Sequence, residues 1–287
     1  MCRWNRIWLR LFTAVLLAAL LPNDMMRSYA EEFSVVISPE KQDASETFTF
    51  EVLHDGNGQA EYPFRVLIYH THTYEAYAQI PDKQYVETEK WRTKDNAYNV
   101  VAVGEALTSS LSALGIEAVH DKTSFEPPSI DQAYERSRVM LEKRISDGEG
   151  YDLIIDLHRD ALSSQATIKR TVNIGGEDIA RFMVLIGKGT TGGYTEKPDW
   201  ESNLVIAKAI TDALNAQSYG LARDVKIKTG RFNQHISDRC VLIECGVNTN
   251  TLEEVINGIP YLAEAIKQAL EDNRKTPSVE QLSNEGE

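Results

Sequence analysis

The residues best suited to chemistry stand where apolar runs end. In Ile68-Tyr69-His70-Thr71-His72-Thr73-Tyr74-Glu75 an apolar run gives out into two histidines and a glutamate, and Ile154-Ile155-Asp156-Leu157-His158-Arg159-Asp160 ends in the same way. Ligand sites in open α/β sheets lie at the carboxyl ends of strands, so both positions are suggestive. Catalytic zinc takes three protein ligands, commonly two His and one Glu, and keeps a fourth position for water. His72-x-x-Glu75 with a distant His158 supplies that set, because a strand-to-loop corner lets residues three apart converge while a neighbouring strand brings the third. His70, two before His72 and on the same side of an extended segment, either replaces His72 as ligand or orients a ligand from behind. Asp95, at the start of the next helix, is the alternative carboxylate; its plain role is an N-cap or first-turn acid favoured by the helix dipole.

A third run, Val241-Leu242-Ile243-Glu244-Cys245-Gly246-Val247-Asn248-Thr249, ends on a carboxylate. Burying that group is costly unless it is paired or functional. Beside a metal, Glu244 could take a proton from water and pass it to a leaving amine; the competing role is a satisfied acid that caps the following helix. Arg159 either stabilises a developing oxyanion or forms a structural ion pair with Asp160. Arg231-Phe232-Asn233-Gln234-His235 is a polar loop that either lines a groove or is plain surface. The glycine-rich stretch Gly187 to Gly193 lacks the Gly-x-x-x-x-Gly-Lys-Ser/Thr spacing of a phosphate loop and reads as a turn.

Strands are needed to deliver these groups to one edge. Apolar runs predict them at Phe64 to Tyr69, Ile116 to His120, Leu153 to Leu157, Thr167 to Ile174, Phe182 to Ile186 and Val241 to Glu244, several nearly continuous in Val, Ile and Leu as when both sheet faces are covered. Between them Val100, Val103, Leu107, Leu111 and Leu114 recur at helical intervals up to Gly115, and Ile130 to Ile145, Trp200 to Leu214 and Leu252 to Leu270 behave likewise. The alternation predicts one α/β domain over residues 64–272 with a mostly parallel sheet flanked by helices. Residues 31–63 read as a short β lead-in and 273–287 as a polar tail.

Residues 1–30 carry Arg3, Arg6 and Arg10, then an uncharged run Leu11 to Leu21, then Ser28-Tyr29-Ala30, the pattern of a signal peptide or, uncleaved, a membrane anchor. The expectation is an exported, extracytoplasmic protein, secreted or held at the membrane by this segment. Cys240 and Cys245 lie along one strand, too far apart to bridge, and are expected to be free buried thiols. With 30 Lys plus Arg against 43 Asp plus Glu, the net charge of −13 falls the wrong way for a nucleic-acid partner.

The blocks "VLIYHTHTYEAY", "NVVAVGEAL" leading to "GIEAVHDKTSFE", "YDLIIDLHRDA", "FMVLIGKG" followed by "WESNLVIAKAI", and "GRFNQHISDRCVLIECGVNTNTLEEV" occur in order over roughly Phe64 to Leu270. In them the chain resembles the stage II sporulation protein P family, relatives of zinc-dependent N-acetylmuramoyl-L-alanine amidases. The resemblance implies an α/β fold of the zinc-amidase and zinc-exopeptidase kind, Zn2+ as cofactor, and peptidoglycan as substrate, cut between the lactyl group of muramic acid and L-alanine. It also implies cleavage of peptide cross-links, a role in septal wall remodelling during engulfment, and partners among wall-lytic and membrane scaffold proteins. The family's strand-end histidine corresponds to His72, its "DLHRD" histidine to His158 and its strand-end glutamate to Glu244. For the third ligand the amidase relatives point to Asp95, whereas the His-x-x-Glu spacing points to Glu75. The alternatives are a zinc carboxypeptidase-type peptidase, which uses the same spacing, and a non-enzymatic wall-binding scaffold.

Overall fold

The computed structural model describes residues 63–163 and 168–274. The expected leader, nearly all of the β lead-in and the polar tail beyond Arg274 lie outside the described residues, as does Thr167. Among the described residues six strands form one sheet and two more a separate hairpin. The sheet strands are β1 (Arg65–Tyr69), β2 (Glu117–His120), β3 (Leu153–Asp160), β6 (Phe182–Gly187), β7 (Lys226–Lys228) and β8 (Cys240–Val247), and the hairpin joins β4 (Thr171–Ile174) to β5 (Glu177–Ala180). The sheet order is β2-β1-β3-β8-β6-β7. Every pairing in it is parallel except β6 with β8. The α/β class and mostly parallel sheet therefore hold. β5 and β7 have no counterpart among the expected strands, because Glu177–Ala180 and Lys226–Lys228 carry too few apolar residues to stand out.

Among the described residues there are five α-helices: α1 (Val100–Ala113), α2 (Ala133–Ser146), α3 (Trp200–Gln217), α4 (Leu252–Ile256) and α5 (Ile259–Asp272). A 3-10 turn, Ile130–Gln132, leads into α2. In α1 the stripe Val100, Val103, Leu107 and Leu111 is fully buried, and Asn99 caps the helix by accepting from Val101 N. The expected single helix over Leu252 to Leu270 is two helices. Gly258 separates them, with Phe182 Cζ only 2.7 Å from where a Cβ would stand, and Pro260 lies in the first turn of α5, where its missing N–H costs no helix hydrogen bond.

The two faces of the sheet are covered unequally. Alternate residues of the strands, including Val66, Ile68, Ile155, Leu157, Val241 and Ile243, share a large core with α1, α3, α4 and α5. The opposite face contributes Leu67, Tyr69, Ile154 and Cys240 to a small cluster with Ala133 and Leu141 of α2. By the period of two, Asp156, His158 and Glu244 belong to this thinly covered face. Cys240 and Cys245 are free and buried, as their spacing requires.

Candidate active site

The site grows from the register of two neighbouring strands. β3 and β8 pair in parallel with His158 opposite Glu244 and Asp156 opposite Leu242, and a register shift follows between His158 and Asp160. One imidazole and one carboxylate thus stand side by side near the carboxyl ends of buried strands. After β1 the chain turns at residues 71–74. That turn brings the His72 ring to 5.4 Å from the His158 ring, edge to face. Glu75 follows, its Oε2 lying 3.3 Å from His158 Nδ1 and accepting the backbone N–H of Arg159 at 3.1 Å. His72, Glu75, His158 and Glu244 therefore converge.

Charges in this pocket are paired. His158 Nε2 lies 2.8 Å from Asp156 Oδ1. Asp156 itself accepts Thr71 N at 2.8 Å and Thr71 Oγ1 at 2.7 Å, which locks the start of the turn onto β3. Burial works against charge on His158, yet the Asp156 and Glu75 carboxylates hold its pKa well above the usual histidine value. Burial likewise opposes ionisation of Glu75, but His158, followed by Arg159 and His72, draws its pKa down to about 2. Burial and the neighbouring His158 charge lower His72 to about 4, so it is neutral at physiological pH. Glu244 is the exception: burial lifts it to about 7, where a carboxyl can both take and give a proton.

Two of the expected participants stand apart. His70 does not join His72, because the extended segment ends at His70 and the turn breaks the alternation. Its Nδ1 donates to Leu157 O at 2.9 Å, and its Nε2 accepts from His120 Nε2 at 2.8 Å, on the well-covered side of the sheet. Asp95 is exposed and accepts Ala97 N at 3.0 Å, an Asx turn ahead of α1 rather than a neighbour of the histidines. Arg159 is buried and turned toward the loop after Glu75, its Nε donating to Ala76 O and Nη2 to Trp91 O. Its expected ion pair is also absent: Asp160 pairs with Arg223 at 2.8 Å.

Sequence reasoning missed four contributors. Asp156 was legible in principle, since it lies two before His158 and shares its face. Glu126 and Arg92 form a buried pair, with Glu126 Oε1 accepting Tyr74 N at 3.1 Å and lying 3.8 Å from His72 Nδ1. Tyr134, in the first turn of α2, sets its ring 5.5 Å from that of His72. Neither position is marked by a motif.

Whether these residues suit a metal is decided by their unmet polar atoms. Among the described residues no group of three or more His, Cys, Asp and Glu side chains is disposed to hold an ion as they stand. His158 is instead held between two carboxylates. Even so, His72 Nδ1 and Glu244 Oε2 are buried and make no hydrogen bond, while both ring nitrogens of His158 face carboxylates. Buried polar groups without partners are rare and call for an explanation such as an ion. Two imidazoles and a carboxylate gathered in one buried pocket match the donor chemistry of zinc, so His72, His158 and Glu75 fit the group by type and proximity.

Comparison with known proteins gives a family and several similar structures. The family described as Stage II sporulation protein P matches residues 27–267. A curated protein of that name from Bacillus subtilis (strain 168) is 27% identical over 221 residues, covering 73% of this chain and 52% of its own length. The chain thus spans about half the length of the curated relative it matches. Among solved structures, the CwlD amidase from Clostridioides difficile, in complex with the GerS lipoprotein, is 15% identical with a TM-score of 0.47, covering 73% of this chain and 97% of its own. An N-acetylmuramoyl-L-alanine amidase from Clostridium difficile 630 is 14% identical with a TM-score of 0.45, covering 75% and 100%.

Proposed function

Because the chain belongs to the stage II sporulation protein P family, we propose that it is a peptidoglycan hydrolase of sporulation, a zinc-dependent N-acetylmuramoyl-L-alanine amidase exported from the cytoplasm by its N-terminal segment. The observation that carries this reading is the convergence of His72, His158 and Glu75 beside Glu244, whose Oε2 is buried without a partner. A zinc ion held by His72, His158 and Glu75 would supply Lewis acidity and an acidified water. Glu244 takes a proton from the attacking water on Oε2 and returns it to the departing alanine nitrogen as the lactyl C–N bond breaks. Asp156 fixes the orientation of His158, and Arg159 acts by holding the Ala76 and Trp91 carbonyls, so that the loop between them closes one side of the pocket. The partners that suit this role are wall-lytic and membrane scaffold proteins of the same process.

The test is direct. The purified protein should solubilise peptidoglycan and release new alanine amino termini, leaving muramic acid intact and free of peptide. His158→Ala should lose activity and bound zinc together, whereas Glu244→Gln should lose activity with zinc retained. Fragments cut within cross-links would instead favour an endopeptidase, and undiminished activity in EDTA would end the zinc assignment.

A further inference from the structure

Tyr134 is wedged between the site and a strained loop. Its ring meets His72 edge to face at 5.5 Å with an interplanar angle of 86°, and also meets Phe232 at 5.8 Å and 72°. Phe232 and Asn233 both adopt left-handed backbone, with φ of 49° and 54°. Non-glycine residues in that region are strained and persist where the surroundings over-determine them. Here the surroundings do so: Asn233 Nδ2 donates to Tyr134 O at 2.8 Å and Ser137 Oγ at 3.0 Å, while Gln234 accepts Gly187 N and donates to Leu185 O, both at 2.8 Å. The loop is thereby bolted to the first turn of α2 and to β6, and Phe232 is pressed on Tyr134.

The hydroxyl held in this way has no hydrogen-bond partner among the described residues. A phenol carries its proton at neutral pH, so this hydroxyl is a donor there. A protonated phenol beside a water-attacked carbonyl has one evident use. Resting on the amidase reading, we propose that Tyr134 is a catalytic residue whose O–H donates a hydrogen bond to the lactyl carbonyl oxygen as it becomes an oxyanion, with Phe232 as the positioning residue that sets its ring. As water adds to the carbonyl carbon, the π pair moves to oxygen and is held there by the Tyr134 hydrogen bond. It returns when the C–N bond breaks, the nitrogen taking the proton carried by Glu244, and Tyr134 gains and loses no proton. The role falls to Tyr134 because the Arg159 guanidinium is already engaged by backbone carbonyls.

The variant that decides it is Tyr134→Phe, which keeps the ring and removes only the oxygen. Bound zinc, melting temperature and KM for peptidoglycan should stay near wild type while kcat falls about 10²–10³-fold, the usual loss for one oxyanion donor. A phosphinic analogue of the lactyl-alanyl amide, which mimics the tetrahedral oxygen, should bind more weakly by a similar factor, with affinity for the cleaved alanyl peptide unchanged. An active wild type with unimpaired Tyr134→Phe turnover, or with equal losses for analogue and product, overturns this assignment alone. A wild type that cleaves no wall amide overturns the amidase reading and the assignment with it.

Discussion

Glu244 is held where a carboxylate is least comfortable, on a buried strand with one oxygen unpartnered. Burial, set against the attraction of His158, leaves its pKa at about 7 rather than the ordinary 4.5. The sign of the stability effect follows. Between about 4.5 and 7 the folded protein binds a proton that the unfolded chain has released, so folding is favoured at the acid end and the penalty is complete above 7. Metal-free Glu244→Gln should therefore be more stable than metal-free wild type at pH 8, by on the order of 1–3 kcal/mol, with the gap closing near pH 4.5. Denaturant titrations at the two pH values measure it; a gap that does not change with pH would place the effect in packing instead. The same residue loses catalysis and gains stability, as expected where a site stores cost for function. Glu244 was legible in the sequence because an acid ends an otherwise apolar run. Tyr134 was not, since an aromatic residue in the first turn of a polar helix has no pattern that ties it to His72, and that contact depends on how α2 lies across the sheet.

At the scale of elements, the strand ends were readable and the turn after β1 was not. Continuous apolar runs fixed β1, β3 and β8 to within a few residues, and with them the edge at which His158 and Glu244 stand. The side on which His70 falls depends on where extension stops, and alternation alone could not tell that the turn begins at Thr71. His70 is instead paired with His120 under α1, where the two rings fill the space beneath Gly104. A Cβ there would stand 2.5 Å from His120 Nε2 and 2.7 Å from His70 Nε2, so α1 packs this closely only because residue 104 has no side chain. Gly104→Ala should destabilise the fold by about 1–3 kcal/mol, the usual range for overpacking. In a His120→Ala background, which removes the nearer ring, the same change should cost less. A double-mutant cycle by equilibrium unfolding reads this coupling directly. Strictly additive losses would show that helix and histidine pair do not press on each other.

The whole molecule combines a one-sided fold with an unfavourable charge. Four helices, α1, α3, α4 and α5, share the large core on one sheet face, while α2 and loops cover the other, and the site occupies this thinner side. The net charge is −13, yet Lys228 acts on Glu244, and Arg231, next to the Phe232 ring that meets Tyr134, sits 4.1 Å over the Tyr194 ring. Toward the carboxylate-rich wall polymer proposed as substrate, long-range and local electrostatics therefore oppose each other. Raising ionic strength from about 0.01 to 0.15 M shortens screening from about 30 to about 8 Å, which removes the distant repulsion and leaves close contacts largely intact. Peptidoglycan solubilisation, followed as kcat/KM, should accordingly rise about 2–10-fold over that range, the reverse of electrostatically steered encounter. Arg231→Ala should lower kcat/KM at both salt concentrations, because its contact lies within the screening length. A rate that falls with salt would mean that the rim cations, and not the overall charge, govern how this protein meets its polymer.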